Sequence, residues 1–403
     1  MFIYKAGVVG AGAMGAGIAQ VISFSGLPVV LKDTDEARVK KGLDTVRKIY
    51  QGRVDKGKMS ASEMEQKVPL VQGTTSWDDF KDCDIVVEAV FENMKAKQDV
   101  FQQMEKALPE TAIMATNTSA LSITQIASAV KRSEKVIGLH FFNPAGAMKL
   151  VEVIPGLQTS HDTVDDTVAF AESLRKFPVR VKECAGFLVN RLLLPFLNEA
   201  AYCLQEGSVS PEELDKAFLD FGLPMGPLAL MDLLGLDVCA DVATILYDSF
   251  GPRMKVAEVL YEMKNAGRFG VKNGLGFYSY DESKKADLGS LLSTIQQKTG
   301  VKGTPFSPER VLFQMINEAA YCLEENVSAP GDIDLAMMAG TGFPQDKGGP
   351  LHLADTLGVD VVLGRLQEFT QKLGSRFWPA PILKRMVAAN YLGQKTKKGF
   401  FNY

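Results

Sequence analysis

Short apolar runs separated by longer amphipathic stretches fill the first half of the chain. The runs are Ala6-Gly-Val8-Val9, Pro28-Val-Val-Leu31, Asp84-Ile-Val-Val-Glu88-Ala-Val, Ala112-Ile-Met-Ala-Thr116, Lys135-Val-Ile-Gly-Leu139, Leu150-Val-Glu152-Val-Ile and Pro178 to Val181. Runs of this length without polar alternation predict strands buried on both faces, as in a parallel sheet. Between them, Ile18-Ala-Gln-Val21-Ile22 has helical spacing. The charged stretch from Thr34 to about Lys58 carries an apolar stripe of Val39, Leu43, Val46 and Ile49. Strand alternating with helix predicts an α/β domain over residues 1–184.

From Gly186 the pattern becomes helical almost without strands. Leu188, Leu192, Leu193, Phe196, Leu197, Ala200 and Leu204 fit one long buried helix, interrupted by Asn190, Arg191 and Glu199. The pattern then repeats. Asn198-Glu-Ala-Ala-Tyr-Cys-Leu204 returns as Asn317-Glu-Ala-Ala-Tyr-Cys-Leu323, Gly226-Pro-Leu228 as Gly349-Pro-Leu351, and Gly276-Phe-Tyr278 as Gly399-Phe-Phe401. Anchors repeated in order predict two homologous all-α domains, residues 185–281 and 308–403, joined by a polar linker at 282–307 that holds a short helical piece.

The first strand runs into Gly10-Ala-Gly12-Ala-Met-Gly15, and the second ends in Asp33. Strand, G-x-G-x-x-G, helix, strand and acid form the fingerprint of a Rossmann-type dinucleotide-binding domain. Gly10 permits the tight turn, Gly12 lets backbone approach a pyrophosphate, and Gly15 lets helix and strand pack closely. The helix start offers free N–H groups and a positive dipole end to phosphate. Asp33 can accept the ribose hydroxyls of the adenosine half and would repel a 2′-phosphate, so the expected cofactor is NAD rather than NADP. A nucleotide-free α/β domain with a glycine turn is the bland alternative.

Bulk properties narrow the setting. A net charge of −4 over 403 residues argues against a nucleic-acid surface. No apolar run approaches the ~20 residues that a membrane helix needs, so membrane insertion is not expected. Five cysteines without C-x-x-C spacing fit reduced thiols. Only Met1 to Tyr4 precede the first strand, which leaves no room for a signal peptide, and a cytoplasmic location is expected. No His/Cys cluster predicts a metal site.

Chemistry collects at predicted strand ends, which in an open α/β sheet face the ligand crevice. Asp33, Glu92, Ser119 and His140 occupy four of them, with Lys95 and Lys97 near Glu92. His140 is one of three histidines, and Glu152 follows it by 12 residues on an apolar strand where a carboxylate is otherwise unwelcome. A carboxylate that orients an imidazole is the usual arrangement for a general base. A core histidine satisfied by a nearby acid is the competing reading. Ser119 ends a crevice strand and Asn190 opens a facing helix, although a helix-capping serine and a helix-terminal asparagine fit as well. His161 is expected in a polar turn, and His352 aligns with Ala229 of the first helical copy.

These residues carry a resemblance. Gly10 to Gly15, Asp33, Val87-Glu88-Ala-Val-Phe-Glu92, Thr116-Asn-Thr-Ser119, Gly138-Leu-His140-Phe-Phe-Asn-Pro144, Leu150-Val-Glu152-Val and Gly186-Phe-Leu-Val-Asn190-Arg191 stand in order over nearly the whole chain. Together they resemble the L-3-hydroxyacyl-CoA dehydrogenases of fatty-acid β-oxidation, including 3-hydroxybutyryl-CoA dehydrogenases. The helical duplication resembles the dehydrogenase part of multifunctional β-oxidation enzymes. Their hydratase domain has no counterpart here, so hydration is not expected. The resemblance implies an acyl-CoA substrate, with His140 as base, Glu152 orienting it, and Ser119 and Asn190 holding the reacting oxygens. For the cofactor it implies Asp33, Glu92, Lys97, Asn143 and Lys272, and for the CoA phosphates Arg53 and Lys58, where a solvated basic face is the alternative. In single-copy members two chains pair through their helical domains, so the second copy is expected to take the partner's place, giving an intrachain pseudo-dimer able to act as a monomer. A dehydrogenase of a free 3-hydroxy acid and a non-catalytic NAD-binding protein remain as alternatives.

Overall fold

The apolar runs become the strands of one eight-stranded sheet in a computed structural model that describes residues 2–285 and 287–403. The chain divides into two compact units, Met1–Phe187 and Leu188–Tyr403. In the first, the strands are β1 (Ala6–Val9), β2 (Val29–Lys32), β3 (Val71–Thr74), β4 (Ile85–Glu88), β5 (Ile113–Thr116), β6 (Val136–Phe141), β7 (Leu150–Pro155) and β8 (Phe177–Arg180). Their order is β3-β2-β1-β4-β5-β6-β7-β8. All neighbouring pairs are parallel except β6 and β7. Order reverses between β1 and β4, the switch point at which doubly wound sheets bind nucleotides.

Five of the first six strands are buried at every position, as continuous apolar runs require. β3 was not marked by such a run. It is an edge strand with exposed Gln72 and half-buried Gly73, so its pattern is mixed. Around the sheet lie helices α1 (Ala13–Phe24), α2 (Glu36–Asp55), α3 (Ala61–Lys67), α4 (Met94–Ala107), α5 (Ile123–Ala127) and α6 (His161–Ser173). The stripe on α2 departs from expectation at its end. Ile49 is half-exposed and Tyr50 is buried instead, its hydroxyl 2.8 Å from that of Ser23 on α1. His161 does not sit in a turn. It is the first residue of α6, capped by the Ser160 hydroxyl, and is exposed.

The second unit contains α7 (Val189–Gln205), α8 (Pro211–Phe221), α9 (Pro227–Leu234), α10 (Leu236–Phe250), α11 (Glu258–Asn265) and α12 (Gly289–Thr299). The second copy follows as α13 (Pro308–Glu324), α14 (Pro330–Thr341), α15 (Pro350–Leu357), α16 (Val359–Leu373) and α17 (Pro381–Ala388). The helix α12 falls inside the polar stretch between the copies. It is attached through buried Ile295 and a hydrogen bond from Gln296 Nε2 to the Gln205 carbonyl.

The repeated sequence anchors have physical causes. Asn198 bridges backbone at Lys255 and Ala257, and Asn317 makes the same pair of bonds at Trp378 and Ala380. Asp215 accepts the Leu228 and Ala229 N–H groups at the start of α9, and Asp334 accepts those of Leu351 and His352 at the start of α15. Asp232 and Asp355 likewise accept the backbone of Phe277-Tyr278 and Phe400-Phe401. A side chain at Gly276 or Gly399 would collide with those carboxylates, its Cβ at 2.0 and 1.9 Å.

The two copies pack α7 against α13 with reciprocal ion pairs. Arg191 Nε donates to Glu318 at 2.8 Å and its terminal nitrogen to Glu325 at 2.7 Å. Arg310 donates to Glu199 at 2.6 Å and Glu206 at 2.8 Å. Arg253 and Arg376 repeat the relation, each reaching the same two glutamates as the arginine it accompanies. Residue i meeting j while its equivalent j meets i is the signature of a two-fold interface, here within one chain.

Candidate active site

At the glycine turn two positions have no room for a side chain and one is open. Gly10 lies at φ +102°, and a Cβ there would sit 2.5 Å from the Ala89 carbonyl oxygen. At Gly15 a Cβ would meet the Gly10 oxygen at 1.7 Å, so helix and strand could not close on any larger residue. A Cβ at Gly12 would meet nothing within 4 Å beyond its chain neighbours and its own helix. That open space at the start of α1, whose first N–H groups have no helical partner, is the cradle a pyrophosphate requires. Asp33, at the end of β2, accepts the Ala11 N–H at 2.8 Å through one carboxylate oxygen and the Thr34 N–H at 2.7 Å through the other. It therefore fixes the turn.

At the end of β4, Glu88 and Lys97 form an ion pair of 2.8 Å with both side chains almost wholly buried. Glu88 also accepts from the Thr116 hydroxyl and the Val90 N–H. Lys97 reaches Glu92 at 3.3 Å. One Glu92 oxygen receives the Thr118 hydroxyl at 2.6 Å, the Ser119 N–H at 2.9 Å and the Ser119 hydroxyl at 3.3 Å. Desolvation opposes the charge on Glu92, but Lys97 and these donors outweigh it and hold the carboxyl below its ordinary range. Glu88, Lys97, Glu92 and Ser119 are thus one connected network at the ends of β4 and β5. In the sequence the only signal for Glu88 is a carboxylate closing an otherwise apolar strand.

His140 and Glu152 are direct partners across the antiparallel pair β6 and β7. Facing residues on such strands place their side chains on one face within reach. Nδ1 of His140 lies 2.7 Å from Glu152 Oε2, with the side chains 8% and 1% exposed. Against an ionised carboxylate Nδ1 carries the proton, which leaves Nε2 a lone pair. The rings of Phe142 and Phe187 lie 4.5 and 6.1 Å from the imidazole. Asn117 at the end of β5 accepts the Phe141 N–H at 2.8 Å, tying the two strand ends together.

The loop joining β6 to β7 carries Asn143, exposed on its surface. Buried Lys176, just before β8, holds that loop by donating to the carbonyls of Ala145 at 2.5 Å and Met148 at 2.8 Å. Neither Asn117 nor Lys176 was singled out from sequence, since each acts on backbone that pattern alone does not locate. On α2, Arg53 lies over the Phe24 ring at 4.3 Å, while Lys58 is exposed beyond the helix. No group of metal-binding residues occurs among the described residues.

In the helical unit Asn190 is the second residue of α7, half-buried. Its counterpart in the second copy is Glu309, engaged by Arg365 at 2.7 Å. Lys272 pairs with Asp237, and the second copy repeats the pairing with Lys395 and Asp360. The Lys272 pair is therefore complete without a cofactor.

The family model described as 3-hydroxyacyl-CoA dehydrogenase, NAD binding domain, matches residues 5–184. The companion model, 3-hydroxyacyl-CoA dehydrogenase, C-terminal domain, matches twice, at 186–280 and 306–403. The chain belongs to the 3-hydroxyacyl-CoA dehydrogenase family. Its first unit is accordingly an NAD-binding domain, and its helical unit is two copies of that family's C-terminal domain. The fatty acid oxidation complex subunit alpha of Shewanella amazonensis is 42% identical over 394 residues, 96% of this chain and 55% of that protein. The chain thus spans about half the length of the curated relatives it matches. The 3-hydroxybutyryl-CoA dehydrogenase of Escherichia coli K12 superposes with a TM-score of 0.88 at 30% identity, covering 96% of this chain and 99% of that one. The (S)-3-hydroxybutyryl-CoA dehydrogenase of Ralstonia eutropha is 42% identical with a TM-score of 0.68, covering 70% of this chain and 100% of its own. Among the described residues of this family member, no helix is long and apolar enough to cross a membrane.

Proposed function

We propose that this chain reversibly oxidises (S)-3-hydroxyacyl-CoA to 3-oxoacyl-CoA with NAD, using His140 as general base. The observation that carries the reading is the buried His140–Glu152 pair on adjacent strands. Nε2 takes the proton of the substrate 3-hydroxyl as the C3–H bond gives up its electron pair. NAD supplies the hydride acceptor when bound. Glu152 holds the imidazole in the tautomer that accepts at Nε2 and offsets the charge the ring gains. In the reverse direction the imidazolium returns the proton to the 3-oxo oxygen.

Ser119 is assigned a hydrogen bond to the substrate oxygen, which its hydroxyl reaches by leaving Glu92. Asn190 is assigned the developing charge on the reacting oxygen. Glu92, Lys97, Asn143 and Lys272 are assigned to the cofactor on resemblance. Arg53, whose Nε is buried without a protein partner, and Lys58 are assigned to CoA phosphates. One active site per chain follows from a single glycine turn and from Glu309 standing where the second copy would need an amide. Cytoplasmic location and monomeric action belong to the same proposal.

Mixing the protein with acetoacetyl-CoA and NADH should bleach the NADH absorbance band, and His140→Ala should slow turnover ~10²–10⁴-fold with NAD affinity little changed. Near-normal turnover by that variant would exclude His140 as base. No turnover by the unmodified protein would leave a free 3-hydroxy acid dehydrogenase or a non-catalytic NAD-binding protein.

A further inference from the structure

Strand β2 delivers Asp33 into the loop before α2, and the first turn of that helix brings a cation back beside it. Asp35 caps α2 by accepting the Arg38 N–H at 2.9 Å, which sets Arg38 in the first turn. From there its guanidinium reaches Asp35 at 3.2 Å and Asp33 at 3.9 Å, with 54% of the side chain exposed. Asp33 does not depend on this contact for its position, because the Ala11 N–H on one oxygen and the Thr34 N–H on the other already hold it. Ion pairs this exposed contribute little, so the guanidinium can leave them for a stronger anion. Lys32 also stands at this strand end, but it is buried, lies 5.0 Å from the centre of the Trp77 ring and donates to the Asp33 carbonyl at 3.3 Å.

We infer that Arg38 receives the 2′-phosphate of NADP, so that this site takes NADP as a second, weaker cofactor. The inference rests on the reading that Asp33 accepts the adenosine ribose hydroxyls. In NADP the phosphate is carried by the ribose 2′-oxygen, so it meets whatever flanks Asp33. In dinucleotide-binding domains an acid at this place selects NAD, and a nearby arginine accommodates the 2′-phosphate. Here the two stand 3.9 Å apart. A guanidinium offers paired N–H donors to phosphate oxygens, a charge-assisted match that the ribose hydroxyls of NAD do not call on. Arg38 therefore acts on NADP and leaves NAD alone. Asp33 and Asp35 oppose the same phosphate, two carboxylates against one guanidinium, which keeps NADP behind NAD. Cofactor choice at this site is thus a balance of opposed charges and not an exclusion.

Fluorescence titration of the full chain with NADH and with NADPH tests this in the unmodified protein, Arg38→Leu, Asp33→Asn and the double variant. Asp33→Asn removes the repelling charge while its amide oxygen can still accept from the glycine turn. Arg38→Leu should weaken NADPH about tenfold or more and leave NADH within about twofold. Asp33→Asn should tighten NADPH about tenfold, and adding Arg38→Leu should cancel that gain. Arg38→Gln makes the same comparison if thermal unfolding shows that Arg38→Leu does not fold. An equal loss for both cofactors, an Arg38 variant that binds NADPH as before, or a gain in Asp33→Asn that survives the loss of Arg38 overturns the inference and leaves Asp33 as the ribose acceptor. Absence of saturable NADPH binding in both the unmodified protein and Asp33→Asn overturns it as well. If Asp33→Asn changes neither NADH nor NADPH binding in a protein that binds NADH, the ribose reading of Asp33 falls with it.

Discussion

Asp33 carries a structural bond beside the cofactor role proposed for it. From the sequence its carboxylate is the expected acceptor for ribose hydroxyls. In the structure it also fastens the Ala11 N–H of the glycine turn. Asp33→Ala should therefore weaken NAD about tenfold, roughly 1.4 kcal/mol of lost hydrogen bonding, and relax discrimination against NADP. Equal use of both cofactors by the unmodified protein in a fluorescence titration would remove the assignment. Lys176 makes the opposite point, being invisible in the pattern yet buried beside the His140 loop. Burial, helped by the like charge of Lys149, pushes its ammonium down to about 8. The unfolded chain then holds the extra proton between about pH 8 and the free-lysine value of ~10.4, so this group's contribution to stability rises with pH across that window. Lys176→Met strands the Ala145 and Met148 carbonyls at a cost of ~1–3 kcal/mol. Its deficit against the unmodified protein should widen from pH 8 to 10.5 in thermal unfolding. A constant or narrowing deficit would contradict the lowered ammonium. His140 and Glu152 were legible because a carboxylate in an apolar strand is an anomaly. Glu88 was an equal anomaly whose partner, Lys97, lies on the following helix.

At the scale of elements, the sequence revealed strands wherever burial on both faces made a run unbroken. It missed β3, because an edge strand alternates, and it placed His161 in a turn because Ser160 caps a helix that begins on polar residues. The repeated Asn-Glu-Ala-Ala-Tyr-Cys-Leu segment was legible as a repeat, but not as an interface. Only the structure shows that its glutamates serve the other copy's arginine. Burial opposes the charge on Arg310, yet Glu199 and Glu206 more than restore it and raise its pKa. Removing one partner of such a pair leaves uncompensated buried charge. Arg310→Leu should destabilise by ~3–5 kcal/mol, and the reciprocal change Arg191→Leu should cost a similar amount. Chemical denaturation of the two variants would check this. A cost below about 1 kcal/mol for either would mean that the pair is solvated in solution.

For the whole molecule, three domain-sized pieces were readable from the change of pattern at Gly186 and from the repeat, while the pairing of the helical copies was an expectation drawn from resemblance. The α7–α13 contact now gives that expectation a physical form within the helical unit. Deleting residues 308–403 should bare Leu192, Phe196 and their neighbours, which the full chain buries. The shortened protein should self-associate or aggregate in sedimentation. Calorimetric titration of the full chain with NAD should give one site. Two sites, or a shortened chain that stays monomeric and fully active, would refute the division of labour between the copies.

Tethering the two halves also changes what a single substitution can do. When a symmetric interface is built by two identical chains, every change is written twice, once on each side of the axis. Here Asn190 and Glu309 occupy equivalent places in one reading frame and can be edited independently. The Glu309–Arg365 bridge stands where a matching asparagine would be obligatory in a pair of identical chains. Joining the halves end to end thus lets one copy keep an asparagine at this place while the other closes it with an ion pair of its own.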